Sequence, residues 1–467
     1  MQKFSTIYIS IILILFFCGY YYFRPDDTYI FYKYAKNITE GNGYVFNFSE
    51  KINATTSPLY TIILASIYFL LSPVFNIDFA VIGNLISILS ICLVLYSTKK
   101  ILNDDHVFGF FPFIFLALPV IKSGFGMETF LNLAIIIFTL NLYQAGRFSK
   151  SAFFAGLSIL ARYDSVLFVC VLFVHFIITK KRFPPFKVIL NFLLIIVPWF
   201  AFSKLYFGDI LPTTIEAKVI QQKIGIFGNG LIFLSNIPSA IPGSYFTLIL
   251  LVPAIIFSLF YLVKFRGKIF RNTAVNLLLI WSALLFITYA FILNIPPYPW
   301  YYCMYCPAIS VLLSITLAQI LSSEKLKSVI TTVLFFISII LPVKNIYDGY
   351  NEKYLNYISA SNWLNNNAEQ NSVVAVDEIG IIGFYYKNGR IIDALGLINP
   401  EVNKYLVENN FDWFLDYYKP EFVVNEFPDA QKYLAGTSDK FRHNYKAVKI
   451  IKSKNQQIAV YKRNKLN

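Results

Sequence analysis

The sequence predicts a polytopic α-helical membrane protein, with about 11 transmembrane helices followed by a C-terminal extracytoplasmic α/β domain. Three observations carry that prediction. First, 57% of the 467 residues are apolar or aromatic, 14% are charged, and the mean hydropathy is +0.58. An ordinary soluble domain has roughly a quarter of its residues charged, and a disordered chain has low hydrophobicity. Second, apolar runs of near-bilayer length recur through residues 1–344, with basic residues gathered in alternate connections. Third, from about residue 345 the apolar runs shorten to strand length and charged residues and Asn become common.

A helix crosses a bilayer with about 17–25 apolar residues. Runs of that order lie at 5–23, 79–98, 107–122, 128–146, 151–163, 164–179, 187–206, 243–264, 273–294, 300–321 and 328–344. The first, Ile7 to Tyr22, follows Lys3 and precedes Phe23 rather than a small-x-small cleavage site, so it reads as a span and not as a secretory signal. The 151–163 and 164–179 runs are short and meet at Arg162 and Asp164, as two helices ending at a polar cavity would. Pro58–Leu71 reads instead as a helix lying in the outer interface. With that assignment Lys99 and Lys100 fall on the side of Lys3, together with Arg147 and Lys150, Lys180 to Arg182 and Lys187, Lys264 to Arg271, and Lys325 and Lys327. The positive-inside rule is then satisfied throughout. The N-terminus is cytoplasmic, and both the 24–78 loop and the 345–467 domain are extracytoplasmic.

The net charge of +14 is explained by these topogenic clusters, not by nucleic-acid binding. Five Cys form no disulfide framework, and the single CxxC of Cys303 and Cys306 lacks the further ligands of a structural zinc site. Three His cannot build a His-rich metal centre. In the C-terminal domain Val373–Val376, Phe422–Val424 and Ile458–Tyr461 read as strands, with helix-like stretches at Tyr354–Asn365 and Ala430–Leu434.

The residues able to do chemistry lie on the outer side. Asp26 and Asp27 follow Arg24 where the first span meets the outer water. Adjacent acids suit a helix start. Beside a cavity they also suit general-base work, because neighbouring carboxylates push each other's proton affinities apart. Glu128 is open to reading as a first-turn helix acid, Arg162 as an interfacial cation and Lys218 as a surface lysine. Tyr298, Trp300, Tyr301 and Tyr302 suit either an aromatic belt or a stacking wall for sugar or lipid. Asn37, Asn47 and Asn53 head Asn-X-Ser/Thr triplets, to which no functional weight is given.

The outer-loop segment reads Asp26-Asp27-Thr28-Tyr29-Ile30, then Lys33-Tyr34-Ala35-Lys36-Asn37, then Gly41-Asn42-Gly43-Tyr44-Val45-Phe46-Asn47, then Thr56-Ser57-Pro58-Leu59. It closely resembles the first outer loop of polyprenyl-phosphate-sugar-dependent membrane glycosyltransferases of the C superfamily (GT-C fold). The pattern looks like that of bacterial terminal arabinofuranosyltransferases, and is more distantly similar to lipid A aminoarabinose transferases and protein O-mannosyltransferases. Ser123–Thr129 resembles the S-G-x-E-T stretch of that set, Arg162–Ser165 stands in the place of R-P-D/E-G, and Phe207–Thr214 with Ala217-Lys218 resembles Y-G-x-x-L-P-N-T followed by A-K. Val376–Gly380 through Ile391–Leu397 resembles its outer C-terminal domain. Tyr163, Ser165 and Thr213 depart from the pattern, where Pro, Gly and Asn are usual.

The resemblance implies an inverting transfer of a hexosyl or pentosyl group from a polyprenyl-phosphate donor to a glycan, lipid or protein acceptor of the cell envelope. Asp26 is the expected general base, with Asp27 beside it. Arg162, Lys218, Arg24, Glu128 and Asp164 are the expected donor phosphate and sugar contacts. Asp27 and Glu128 are the expected ligands of any Mg²⁺ or Mn²⁺. A transporter or flippase of lipid-linked saccharides is the alternative. It calls for inverted repeats and midplane ionisable residues, which the sequence does not display. A membrane scaffold or receptor would leave the paired acids unused.

Overall fold

The computed structural model describes all residues except 1, 226, 227, 229, 238–251, 261, 262, 264–271, 428–437, 455 and 465–467. Most of the expected span at 243–264, the basic cluster Lys264, Arg266, Lys268 and Arg271, and the helix-like stretch Ala430–Leu434 lie outside the described residues. The chain divides into two compact units. The first comprises Met1–Phe23, Ala80–Trp199 and Leu231–Gly349; the second comprises Arg24–Phe79, Phe200–Gly230 and Tyr350–Asn467.

The first unit is helical. Among the described residues of the chain, 6 helical runs are long and apolar enough to cross a membrane. They are Phe79–Leu102, Tyr163–Lys180, Phe186–Phe207, Thr273–Ile292, Pro299–Ile320 and the run that begins at Glu324. The expected apolar runs are largely helical where they are described, but three of the helices are shorter than a full crossing: Asp105–Ala117, Thr129–Gln144 and Phe148–Ala161. Their ends have local causes. Leu118 is extended ahead of Pro119, as a residue before proline tends to be, and a 3₁₀ turn over Pro119–Gly124 follows. Arg162 is likewise extended (φ −158°, ψ 127°) and closes Phe148–Ala161. The core is aromatic: Phe16 meets Phe125 edge-on at 5.6 Å, Phe125 meets Phe130 at 5.2 Å, and Phe168 meets the fully buried Trp281 at 5.9 Å. The Gln2–Tyr21 helix packs on Glu324–Asp348 through Gly19, where a Cβ would come within 2.6 Å of Pro342 Cα.

The second unit is built on a five-stranded sheet, ordered β2-β1-β3-β5-β4, with β1 Ser372–Val376, β2 Gly389–Asp393, β3 Phe422–Glu426, β4 Tyr445–Lys452 and β5 Gln457–Arg463. β1 is parallel to β2 and β3; β5 is antiparallel to β3 and β4. The three runs read as strands are β1, β3 and β5, apolar because their residues are buried in the sheet core. The sequence reading grouped 24–78 with the membrane helices, yet this loop packs in one unit with the C-terminal domain. The cause is hydrogen bonding that composition does not reveal. Asn47 bonds Ile391 in both directions (Nδ2 to O at 2.9 Å, N to Oδ1 at 3.1 Å), and Arg390 pairs with Glu50. Thr213 donates to Asn53 O and Leu397 O, and Gln221 donates to Leu395 O.

Replacing Gly19 by Val is expected to force the two helices apart and lower stability by about 1–3 kcal/mol, the usual range for overpacking. A fall in the thermal midpoint of the detergent-solubilised protein checks this.

Candidate functional site

The expected site residues fall into two groups, one in each unit. In the second unit Asp26 opens the Asp26–Thr39 helix after Pro25, whose extended backbone starts the first turn. Asp26 is 6% exposed, and its carboxylate accepts two backbone N–H bonds, Gly380 to Oδ2 and Ile381 to Oδ1, both at 2.7 Å. Those amides begin the Ile379–Tyr385 helix that follows β1. A Cβ on Gly380 would collide with the Asp26 carbonyl oxygen, so glycine permits this approach. Burial, then the nearby Glu378, push the Asp26 carboxyl well above its ordinary range; Lys353 and the Ile381 amide act the other way. Asp377 is raised to about 7, first by burial and then by Glu378.

Asp26, Asp27 and Glu378 have carboxylate oxygens within 4.8 Å of one another. These hard oxygen donors suit Mg²⁺ or Mn²⁺. The place is already served by a cation, however, since Lys353 Nζ bonds Glu378 directly. A metal held here would have the carboxylates of Asp26, Asp27 and Glu378 as its ligands. Arg24 is buried beside this group. Its guanidinium donates to Tyr29 Oη at 3.3 Å, lies 3.8 Å from Asp78, and sits 5.5 Å and 5.6 Å from the Tyr350 and Tyr354 ring centroids. Lys218 is half-buried on Thr213–Lys223, a helix anchored by Ile220 against Val402 and Leu406.

In the first unit Arg162 stands at the break between two helices, 5% exposed. Nη1 bonds Glu128 Oε1 at 2.6 Å, and Nη2 and Nε bond Asp164 Oδ2 at 2.6 Å and 3.1 Å. Tyr289 donates to Asp164, and the Tyr301 ring centroid lies 5.3 Å from the guanidinium carbon. Two carboxylates therefore hold one guanidinium, and Glu128 Oε2 is buried without a partner. Tyr289 owes its position to a π-helical turn over Thr288–Ile292, a distortion frequent at functional sites. The departures from the family pattern have partners of their own: Trp199 Nε1 donates to Tyr163 Oη at 2.9 Å, and Ser165 donates to Asn132 Oδ1 at 3.0 Å.

Sequence reasoning missed Lys353 and Tyr289, which carry no local signal, and noted Glu378 only within a resembling stretch. The three triplet asparagines are structural: Asn37, Asn47 and Asn53 are 1%, 7% and 3% exposed. Asn37 bonds the carbonyls of Val45 and Phe46.

Residues 344–461 match a family described as "Domain of unknown function (DUF8728)". No curated protein matches the sequence. Among solved structures, ArnT from Cupriavidus metallidurans bound to undecaprenyl phosphate superposes with a TM-score of 0.65 at 12% identity, covering 98% of each chain. Its apo state gives 0.62 at 12% identity, again over 98% of each chain. The oligosaccharyltransferase of Archaeoglobus fulgidus, tethered to an acceptor peptide containing an NVT sequon, gives 0.57 at 13% identity, covering 100% of this chain and 74% of that one. The chain thus shares the fold of these two proteins, a helical assembly with a small C-terminal sheet domain.

Replacing Arg162 by Met leaves the buried Glu128 and the half-buried Asp164 without their cation. The expected loss is about 3–5 kcal/mol, as for other broken buried pairs. Arg162→Lys should recover part of it, because an ammonium restores charge but not the planar fork. Thermal midpoints of the two variants in detergent measure the difference.

Proposed function

We propose that the protein is a membrane glycosyltransferase that moves a hexosyl or pentosyl group from a polyprenyl-phosphate donor to a glycan, lipid or protein acceptor at the outer face of the cell membrane. The observation that carries this reading is the acid group of the second unit. Asp26 is held rigidly by two amides and has its proton affinity raised by burial and by Glu378. A base poised toward neutrality is what proton transfer from an acceptor hydroxyl needs. The fold is that of proteins of which one was solved with undecaprenyl phosphate and another with an acceptor peptide.

In this reading the acceptor hydroxyl loses its proton to Asp26 as its oxygen attacks the anomeric carbon, and the polyprenyl phosphate leaves in a single inverting displacement. The leaving phosphate is a good anion and calls for positive charge rather than a general acid. Arg162 supplies it by exchanging Asp164, the more open of its two acids, for phosphate oxygens. Glu128 keeps the guanidinium in place. Lys218 and Arg24 are assigned to the donor by resemblance. Lys353 offsets part of the negative charge of Asp26, Asp27 and Glu378, and Mg²⁺ or Mn²⁺ would offset the rest. The charge bias of the connections supports a cytoplasmic N-terminus and acids on the outer side.

A second reading is favoured by one observation: the Asp26 oxygens are engaged with Gly380 and Ile381, whereas Asp27 is only half-buried. There Asp27 accepts the proton and Asp26 positions the helix. Transfer of labelled sugar from polyprenyl-phosphate donors by the purified protein decides. Asp26→Asn is expected to lower turnover of folded protein at least about 10²-fold, with Asp27→Asn much milder. The reverse order assigns the base to Asp27, and no transfer with any donor sugar sinks the function. Asn at 26 also sets an amide NH₂ against a backbone N–H, so its thermal midpoint is measured alongside. Because the Asp26 carboxyl titrates above the ordinary range and acts deprotonated, kcat/KM should fall on acidification already well above pH 3.8.

A further inference from the structure

A second feature of the outer unit is a polar cavity of about 300 Å³ beside the Asp26–Thr39 helix, within the size range of small-molecule sites. Its wall includes Lys33, Lys36, Asn37, Phe48, Tyr386 and Lys387. One acid, Glu40, also lines it and lies 3.9 Å from Lys36 Nζ, so three lysines face a single carboxylate. Burial, then the Lys36 charge, lower the Lys33 ammonium to about 8.

Asn37 adds a second, independent requirement. Its amide nitrogen donates to Val45 O at 2.8 Å and Phe46 O at 3.0 Å, which fixes the orientation of the amide. Oδ1 is then left buried with no hydrogen-bond partner, although a buried acceptor normally has one. A ligand hydroxyl would satisfy it. Phe48 is 59% exposed, with its ring centroid 6.0 Å from Lys33 Nζ, and offers an apolar plate next to the charge.

We propose that this cavity binds a saccharide bearing a carboxylate or a phosphate. Lys33, Lys36 and Lys387 hold the anion, a sugar hydroxyl donates to Asn37 Oδ1, and the ring lies against Phe48. The identification of this saccharide as part of the acceptor rests on the sugar-transfer reading; the binding site itself does not.

The test is calorimetric titration of the full-length protein in detergent with digalacturonate, with glucose 6-phosphate and with neutral maltose. At least one anionic sugar should bind, and maltose should bind at least about tenfold more weakly. The Lys33→Gln/Lys387→Gln double variant should weaken the anionic sugar at least about tenfold, and Phe48→Ala should weaken it too. Neither should lower the thermal midpoint, since Lys387 and Phe48 are exposed and burial disfavours the Lys33 charge. The tighter of the two anions identifies the acidic group. Equal affinity for maltose, an unaffected double variant, or no binding of either anion overturns the proposal. Asp26→Asn with an unchanged thermal midpoint separates the two claims, because a protein that loses transfer yet binds the acidic sugar normally retains this subsite.

Discussion

The second unit depends on one carboxylate. Asp26 accepts the first amides of a helix that lies 354 residues further along the chain, and a glycine at 380 makes room for it. A charged acceptor at a helix start gains from both the unpaired N–H groups and the helix dipole. The same contact removes the carboxylate from water, which raises the cost of its charge. Structural tie and chemical tension therefore reside in the same atoms. Glu378 adds to the tension and Lys353 relieves it, so the balance of the group is set by three side chains from three separate segments.

The Arg162 cluster solves a different problem. A guanidinium at the junction of two helices is costly unless every part of its fork is engaged. Glu128 takes one edge, Asp164 the other, and Tyr301 lies near its plane. The helix break that exposes the junction is also what lets Asp164 fold back onto the guanidinium two residues earlier. Tyr289 buttresses Asp164 from a π-helical turn, so a local distortion in one helix compensates for a break in another.

The helical character of the chain and the strands β1, β3 and β5 were legible because both rest on apolar periodicity and run length, which are local properties. Asp26, Glu128 and Arg162 were legible because ionisable residues stand out against an apolar background. The attachment of the 24–78 loop to the C-terminal domain was not legible because it uses Asn47 and Glu50, whose partners Ile391 and Arg390 lie hundreds of residues away. Lys353 and Tyr289 were invisible for the same reason: one is an ordinary lysine at a helix start, the other an ordinary aromatic in an apolar run. Asp27 lies with Asp26 and Glu378, and Glu128 with Arg162.

The burial of Asn37, Asn47 and Asn53 has a practical consequence for producing the protein. Each heads a triplet that a eukaryotic secretory pathway reads as a glycan acceptor while the chain is still emerging. A sugar tree attached at that moment would occupy the very amide nitrogens that must reach Val45, Phe46 and Ile391. Hosts lacking that modification, or sequences in which the Ser or Thr of each triplet is exchanged, let the loop close around its asparagines.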